Sequence, residues 1–140
     1  MESPSAAITT MEQRYKYALS LLVEQKYIIA IKEFESIINT APDSEYAEVS
    51  QINIGRTYFL NGDYKRALKA YEKVLEKYPG TKKTEEILER EYQLGIAQMD
   101  TNEEAAIKVF EKIIEKHHLG PVAPDAQVKI ADCYFKLGQY

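Results

Sequence analysis

The chain has 140 residues, 45% of them apolar and 29% charged, with a formal net charge of −4 and a single cysteine, Cys133. A chain of this size buries a core of its own, its acidic balance argues against nucleic acid or an anionic membrane as the main partner, and one cysteine excludes an internal disulfide. No apolar run approaches the ~18 residues of a membrane span.

Helical periodicity is continuous from Met11, and no segment alternates with period two for long enough to suggest a sheet. The pattern predicts an all-α chain of seven antiparallel helices, over 11–24, 27–40, 44–60, 64–78, 82–99, 103–117 and 123–137. Residues 1–10 lack the basic start and apolar centre of a signal peptide and read as a disordered leader or an artificial start. The remainder, 11–140, reads as one domain of repeated two-helix units.

The first unit, about 11–44, has Leu21, Tyr27, Ala30, Phe34, Ile37, Ile38 and Pro42 in register, with Ala18 and Gln25 where the next unit has glycines. Gln25 in that place predicts a stiffer turn. The second unit, 48–81, is the best formed. Gly55 and Ala67 are small residues on facing helices, which lets two axes approach to roughly 8–10 Å, while Tyr58, Tyr64 and Tyr71 fill the space around them. Asn61-Gly62-Asp63 supplies a left-handed glycine followed by a capping aspartate. Pro79-Gly80 is expected to end the second helix, proline by lacking a donor and glycine by a positive φ.

Between these units stands a surplus, Glu45-Tyr46-Ala47, just after Pro42-Asp43-Ser44. Extra residues from Lys82 to Ile87 predict that the fifth helix is longer than its counterparts. The third unit, 88–120, carries Leu94-Gly95 and then Phe110, Ile113 and Ile114, with one residue fewer between Gly95 and Phe110 than between Gly55 and Tyr71. In its turn, Thr101 and Glu104 make the spacing of a capping box. Glu85, Glu86, Glu89 and Glu91 are expected on a solvated face. The fourth unit, 124–140, holds Ile130, Ala131, Tyr134, Gly138 and Tyr140 and stops after one helix. Cys133 is expected to be a small buried hydrophobe, and the face holding Ile130 and Tyr134 is expected to self-associate for want of a capping helix.

No phosphate-binding, metalloprotease, dithiol or nucleophile-elbow motif occurs. His117 and His118 are adjacent on a helix and point about 100° apart, a poor pair for one metal. The reading is a non-catalytic protein with no cofactor and no metal site. What remains is a groove lined by the first helix of every unit: Tyr15, Leu19 and Leu22; Ile52, Asn53, Arg56 and Phe59; Tyr92, Ile96 and Met99; Val128, Lys129, Asp132 and Phe135. Such an apolar, aromatic trough with two cations suits a protein or peptide whose apolar side chains bury while Arg56 and Lys129 meet carboxylates or carbonyls.

Gly55, Tyr58, Gly62, Tyr64, Ala67, Tyr71 and Pro79 stand at the spacings of the 34-residue tetratricopeptide repeat, which the chain resembles over nearly all of its length after Met11. The resemblance implies a TPR-like, right-handed α-solenoid acting as a binding scaffold. Some members hold acidic C-terminal tails in a clamp of lysine, asparagine and arginine, but the corresponding positions here are Tyr15, Leu19, Asn53, Glu89 and Gln93, of which only Asn53 agrees. Tyr17-Ala18-Leu19, Tyr27, Ala30-Ile31, Phe34, Pro42-x-Ser44-x-Tyr46-Ala47, Gly62-Asp63-Tyr64 and Tyr78-Pro79 are similar to the first repeats of the β-barrel assembly lipoproteins of the BamD type. That narrower resemblance implies a periplasmic scaffold held at the outer membrane, which binds unfolded barrel precursors or partner subunits. No cysteine near the N-terminus is placed to accept a lipid, which leaves open a generic periplasmic repeat protein of the Tol–Pal-associated kind. The alternative is a cytoplasmic adaptor or regulatory domain.

Overall fold

The computed structural model describes residues 10–138. Residues 1–9 of the expected leader, and Gln139 and Tyr140 of the last turn, lie outside the described residues. Seven helices and no strand occur among those described: α1 (Met11–Val23), α2 (Tyr27–Thr40), α3 (Glu45–Leu60), α4 (Tyr64–Lys77), α5 (Thr84–Met99), α6 (Glu103–His117) and α7 (Ala123–Leu137). They fall into two compact units that divide between Pro79 and Gly80. The first holds α1 to α4, each packed on the next; the second holds α5 to α7, again packed in order.

Helix–turn–helix geometry in the first unit follows from one backbone device used twice. At the end of α3, Gly62 takes φ 80°, and the N–H groups of Gly62 and Asp63 donate to the carbonyls of Phe59 (3.0 Å) and Tyr58 (2.9 Å). These paired bonds satisfy helix-end carbonyls that would otherwise be orphaned. Asp63 then caps α4 by accepting from the Arg66 N–H. At the end of α1 the same two bonds run from Gln25 to Leu22 (3.0 Å) and from Lys26 to Leu21 (2.9 Å), with Gln25 itself at φ 63°. Glutamine therefore occupies a backbone conformation that a side chain makes unfavourable by about 1–2 kcal/mol. Gln25→Gly is expected to raise unfolding stability by about 1 kcal/mol net of the entropy that glycine adds to the unfolded chain, read as a higher urea midpoint at unchanged m; an unchanged or lower midpoint would contradict this turn geometry.

The second unit builds its first turn differently. The capping residue of α6 is Asn102, whose side chain accepts from the Ala105 N–H at 3.0 Å, whereas the Thr101 hydroxyl turns back to the Gln98 carbonyl. The Thr101 capping box is thus corrected to an Asn102 cap. Asp100 continues in helical conformation, and the Asn102 N–H closes on the Gln98 carbonyl at 2.7 Å. The residue missing from this hairpin is the left-handed one, and the chain reverses without it.

Three more expectations are corrected. α5 starts at Thr84, after a turn that contains Lys82 and Lys83, so at 16 residues it is longer than α1 and α7, with 13 and 15, but only equals α3. Gly80 has no positive φ, and open space surrounds the place where its Cβ would stand. Glu91 is buried rather than solvated, because it shares the inward face of α5 with Ile87, Leu94 and Gly95. Glu85 and Glu89 do face solvent.

The surplus before α3 has a structural reading. Ser44 caps the helix by accepting from the Ala47 N–H at 3.3 Å, Ala47 is fully buried, and the Tyr46 ring leans on Tyr15 with centroids 5.6 Å apart. The core of the first unit gathers Ala18, Leu21, Ala30, Ile31, Phe34, Ile37, Ile54 and Ala70. In the second, Ile87, Leu88, Leu94, Ala106, Phe110, Ile113, Ala126 and Cys133 are buried. Cys133 is the small core residue its position predicts, and burial pushes its thiol pKa upward.

Candidate peptide-binding site

The candidate lining residues stand on α1 and α3 in the first unit and on α5 and α7 in the second. Small residues decide how these helices meet their partners. A Cβ on Gly55 would stand 2.7 Å from Cε1 of Tyr71, and one on Gly95 would stand 2.6 Å from Cε1 of Phe110. In each hairpin the first helix lies directly on an aromatic ring of the second, and that contact fixes which of its sides turns outward.

In the first unit, a polar chain crosses from α1 to α3. Nδ2 of Asn53 donates to the Tyr15 hydroxyl at 2.7 Å and to the Val49 carbonyl at 3.0 Å, while its Oδ1 accepts from Nη1 of Arg56 at 3.1 Å. Asn53 is buried, so these bonds satisfy an amide that would be costly to leave unpaired. Tyr15 also meets Phe34 at 6.0 Å. Burial raises the Tyr15 phenol above its ordinary range, against the hydrogen bond from Asn53 and the charge of Arg56. The phenol therefore stays protonated at neutral pH.

Leu19 and Leu22 are half-buried against the core, and Ile52 is buried. Arg56 and Phe59 keep partial exposure, and the Phe59 ring rests on Tyr64 at 5.5 Å. The structure thus places Tyr15, Asn53 and Arg56 in one hydrogen-bonded chain, with Phe59 one helical turn beyond Arg56. Asn53 and Ile52 hold the helices together; Arg56 and Phe59 are each partly exposed, with Nε of Arg56 buried.

The second unit presents a more apolar and more acidic surface. Ile96 is 39% exposed, Val128 59% and Phe135 68%, Asp132 is exposed and Lys129 partly so. Met99 is buried. Tyr92 packs its ring on Phe110 at 5.7 Å, and its phenol pKa is raised by burial first and then by Asp125, Glu89 and Asp132. Asp125 and Glu89 were not among the residues expected here; their spacing on the helices was the available signal, since Asp125 precedes Val128 and Asp132 by three and seven residues. On α7, Ile130 and Tyr134 are half-buried, and the exposed apolar row is Val128, Ala131 and Phe135.

Among the described residues no three His, Cys, Asp or Glu side chains form an arrangement that would hold a metal, and His117 and His118 differ in exposure. No helix among them is long and apolar enough to cross a membrane. The surfaces that the two units offer are suited to apolar, aromatic and charge-assisted contacts with a protein chain.

Comparison with known proteins adds to this geometry. The sequence profile of the outer membrane lipoprotein family YfiO matches residues 8–104. A solved structure with a similar fold is a point-substituted form of a candidate kinesin light chain of Podosopora anserina, built of nearly identical TPR-like repeats, at 21% identity and a TM-score of 0.50, covering 99% of this chain and 70% of that one. The form of that protein without the substitution matches at 20% identity and a TM-score of 0.49, with the same coverage. No curated protein matches. The likeness to the first of these structures supports an all-α, TPR-like repeat fold.

Proposed function

The chain belongs to the YfiO family of outer membrane lipoproteins, and from that premise we propose that it is a non-catalytic scaffold of the bacterial envelope. It works on the periplasmic side of the outer membrane and binds extended peptides of β-barrel precursors, or partner subunits, on the outward faces of its first helices. The observation that carries this reading is the Tyr15–Asn53–Arg56 chain. A buried amide fixes the guanidinium of Arg56 beside the partly exposed Phe59, so a cation and a ring are held in place before any partner arrives. Preorganisation of this kind lowers the entropy cost of binding, and an arginine beside an aromatic ring is a common anchor of protein recognition. A barrel strand ending in an aromatic residue and a carboxylate offers the matching groups.

Fluorescence titration with a peptide from the C-terminal strand of an outer-membrane barrel tests the proposal. Wild type is expected to bind saturably, and Arg56→Glu and Phe59→Ala to weaken binding by about tenfold or more, about 1.4 kcal/mol each, with helical content unchanged by circular dichroism. Equal affinity in wild type and both variants, or no binding at all, would sink it.

A further inference from the structure

We propose that the cleft between α2 and α4 of the first unit is a second protein-binding site, one that takes an acidic segment of a partner. α4 turns Ala67, Ala70, Tyr71 and Val74 inward, which leaves Lys69, Lys73 and Lys77 exposed in one row. Residues four apart on a helix are separated by about 6 Å along its axis, so three ammonium groups repeat at that interval. Like charges at this spacing weaken a helix, and here they remain uncompensated: none of the three lysines forms an ion pair with another described residue. Arg66, at the head of the row, is committed to Asp63 at 2.6 Å.

The row borders a cavity of about 400 Å³. α2 forms the opposite wall with Glu35 and Asn39, and Ile54 and Tyr58 lie between them. One wall is cationic, the other carries the exposed Glu35 carboxylate and Asn39 amide, and Ile38, Ile54 and Tyr58 give the floor its apolar part beside Gln51. Carboxylates four residues apart on a helix, or two apart on a strand, repeat at the same ~6 Å as the lysines. An acidic segment therefore matches the row charge for charge, while an apolar side chain between its carboxylates enters over Tyr58. A phosphate backbone has no apolar side chain to set over Tyr58, and a planar bilayer does not enter a cleft. The site is separate from the Arg56–Phe59 face: Ile54 and Tyr58 point to this side of α3, Arg56 and Phe59 to the other.

Fluorescence anisotropy of the whole chain with a labelled amphipathic peptide, carrying glutamates four residues apart beside leucines, tests the proposal. Saturable binding is expected, reduced roughly tenfold or more in Lys69→Glu/Lys73→Glu, weakened by added salt, and unchanged in Arg56→Glu. If the double variant loses helical content, Lys73→Gln is read instead and is expected to show a smaller loss in the same direction. Equal binding of a glutamine-for-glutamate peptide, an unaffected lysine variant, absence of binding, or tighter binding of oligothymidylate or phosphatidylglycerol vesicles would each overturn it. Because Arg56→Glu is measured alongside, failure here is distinguishable from failure of the barrel-peptide proposal.

Discussion

Phe110→Ala is expected to lower the unfolding free energy by about 3–5 kcal/mol, the range for removing a large aromatic side chain from a packed core. The reason is geometric. Phe110 is fully buried, one edge of its ring lies 2.6 Å from where a Gly95 Cβ would be, and Tyr92 leans on it at 5.7 Å. Truncation removes the surface against which α5 sits and leaves a void that a glycine backbone cannot fill. Against a typical total of about 5–15 kcal/mol the loss is large, and it appears as a lower urea midpoint with unchanged m. Phe34→Ala, at the equivalent fully buried position of the first unit, is expected to behave alike. A cost below about 1 kcal/mol would mean that the hairpins are not held by these rings.

Gly55→Ala is the second. Three atoms of the Tyr71 ring lie 2.7, 2.8 and 2.9 Å from the added Cβ, and Tyr71 is 1% exposed, so the ring has nowhere to retreat. Overpacking of this kind costs about 1–3 kcal/mol, partly offset by alanine's helix propensity of about 1 kcal/mol over glycine. A net loss is expected because the contact is with the rigid ring and not with the end of a flexible chain. Two controls isolate the cause. Gly80→Ala, with ordinary backbone and open space, is expected to be nearly neutral. Tyr71→Leu is expected to cost less in the Gly55→Ala background than in wild type, a coupling that only direct contact produces. Additive effects would place the clash elsewhere.

These contacts also explain which parts of the fold were legible in the sequence. Helix periods and the Gly62-Asp63 turn were legible because each residue's local preference agrees with its place. The capping residue of α6 was harder, since Thr101 and Asn102 both have cap chemistry. The structure resolves it by the aromatic contact: Lys26, Asp63 and Asn102 each stand eight residues before Phe34, Tyr71 and Phe110. Counting back from the ring, rather than forward from the turn, finds the cap. The repeat register set Gln25 where the next unit has Gly62, but glutamine has no preference of its own for the left-handed region that it takes there.

The candidate site was legible in part for a related reason. A repeat pattern says which helix of a unit turns outward, yet residues at adjacent groove positions divide between packing and exposure according to helix spacing. Hence Ile52, Asn53 and Met99 are buried while Arg56, Ile96, Val128 and Phe135 reach solvent. Glu91 was misplaced by the same ambiguity, since a carboxylate in an acidic run reads as solvated until the inward face of α5 is known. The lysine row on α4 was not read from the sequence, because only the cleft wall of α2 gives it a setting.

The most direct test of the binding account is residue-resolved: backbone amide shifts of the whole chain, followed while a peptide from the C-terminal strand of an outer-membrane barrel is added. The account predicts that the largest shifts fall on the outward side of α1 and α3, around Leu19, Arg56 and Phe59, and that they disappear in Arg56→Glu. Shifts confined to the α2–α4 flank, or none at saturating peptide, would contradict it.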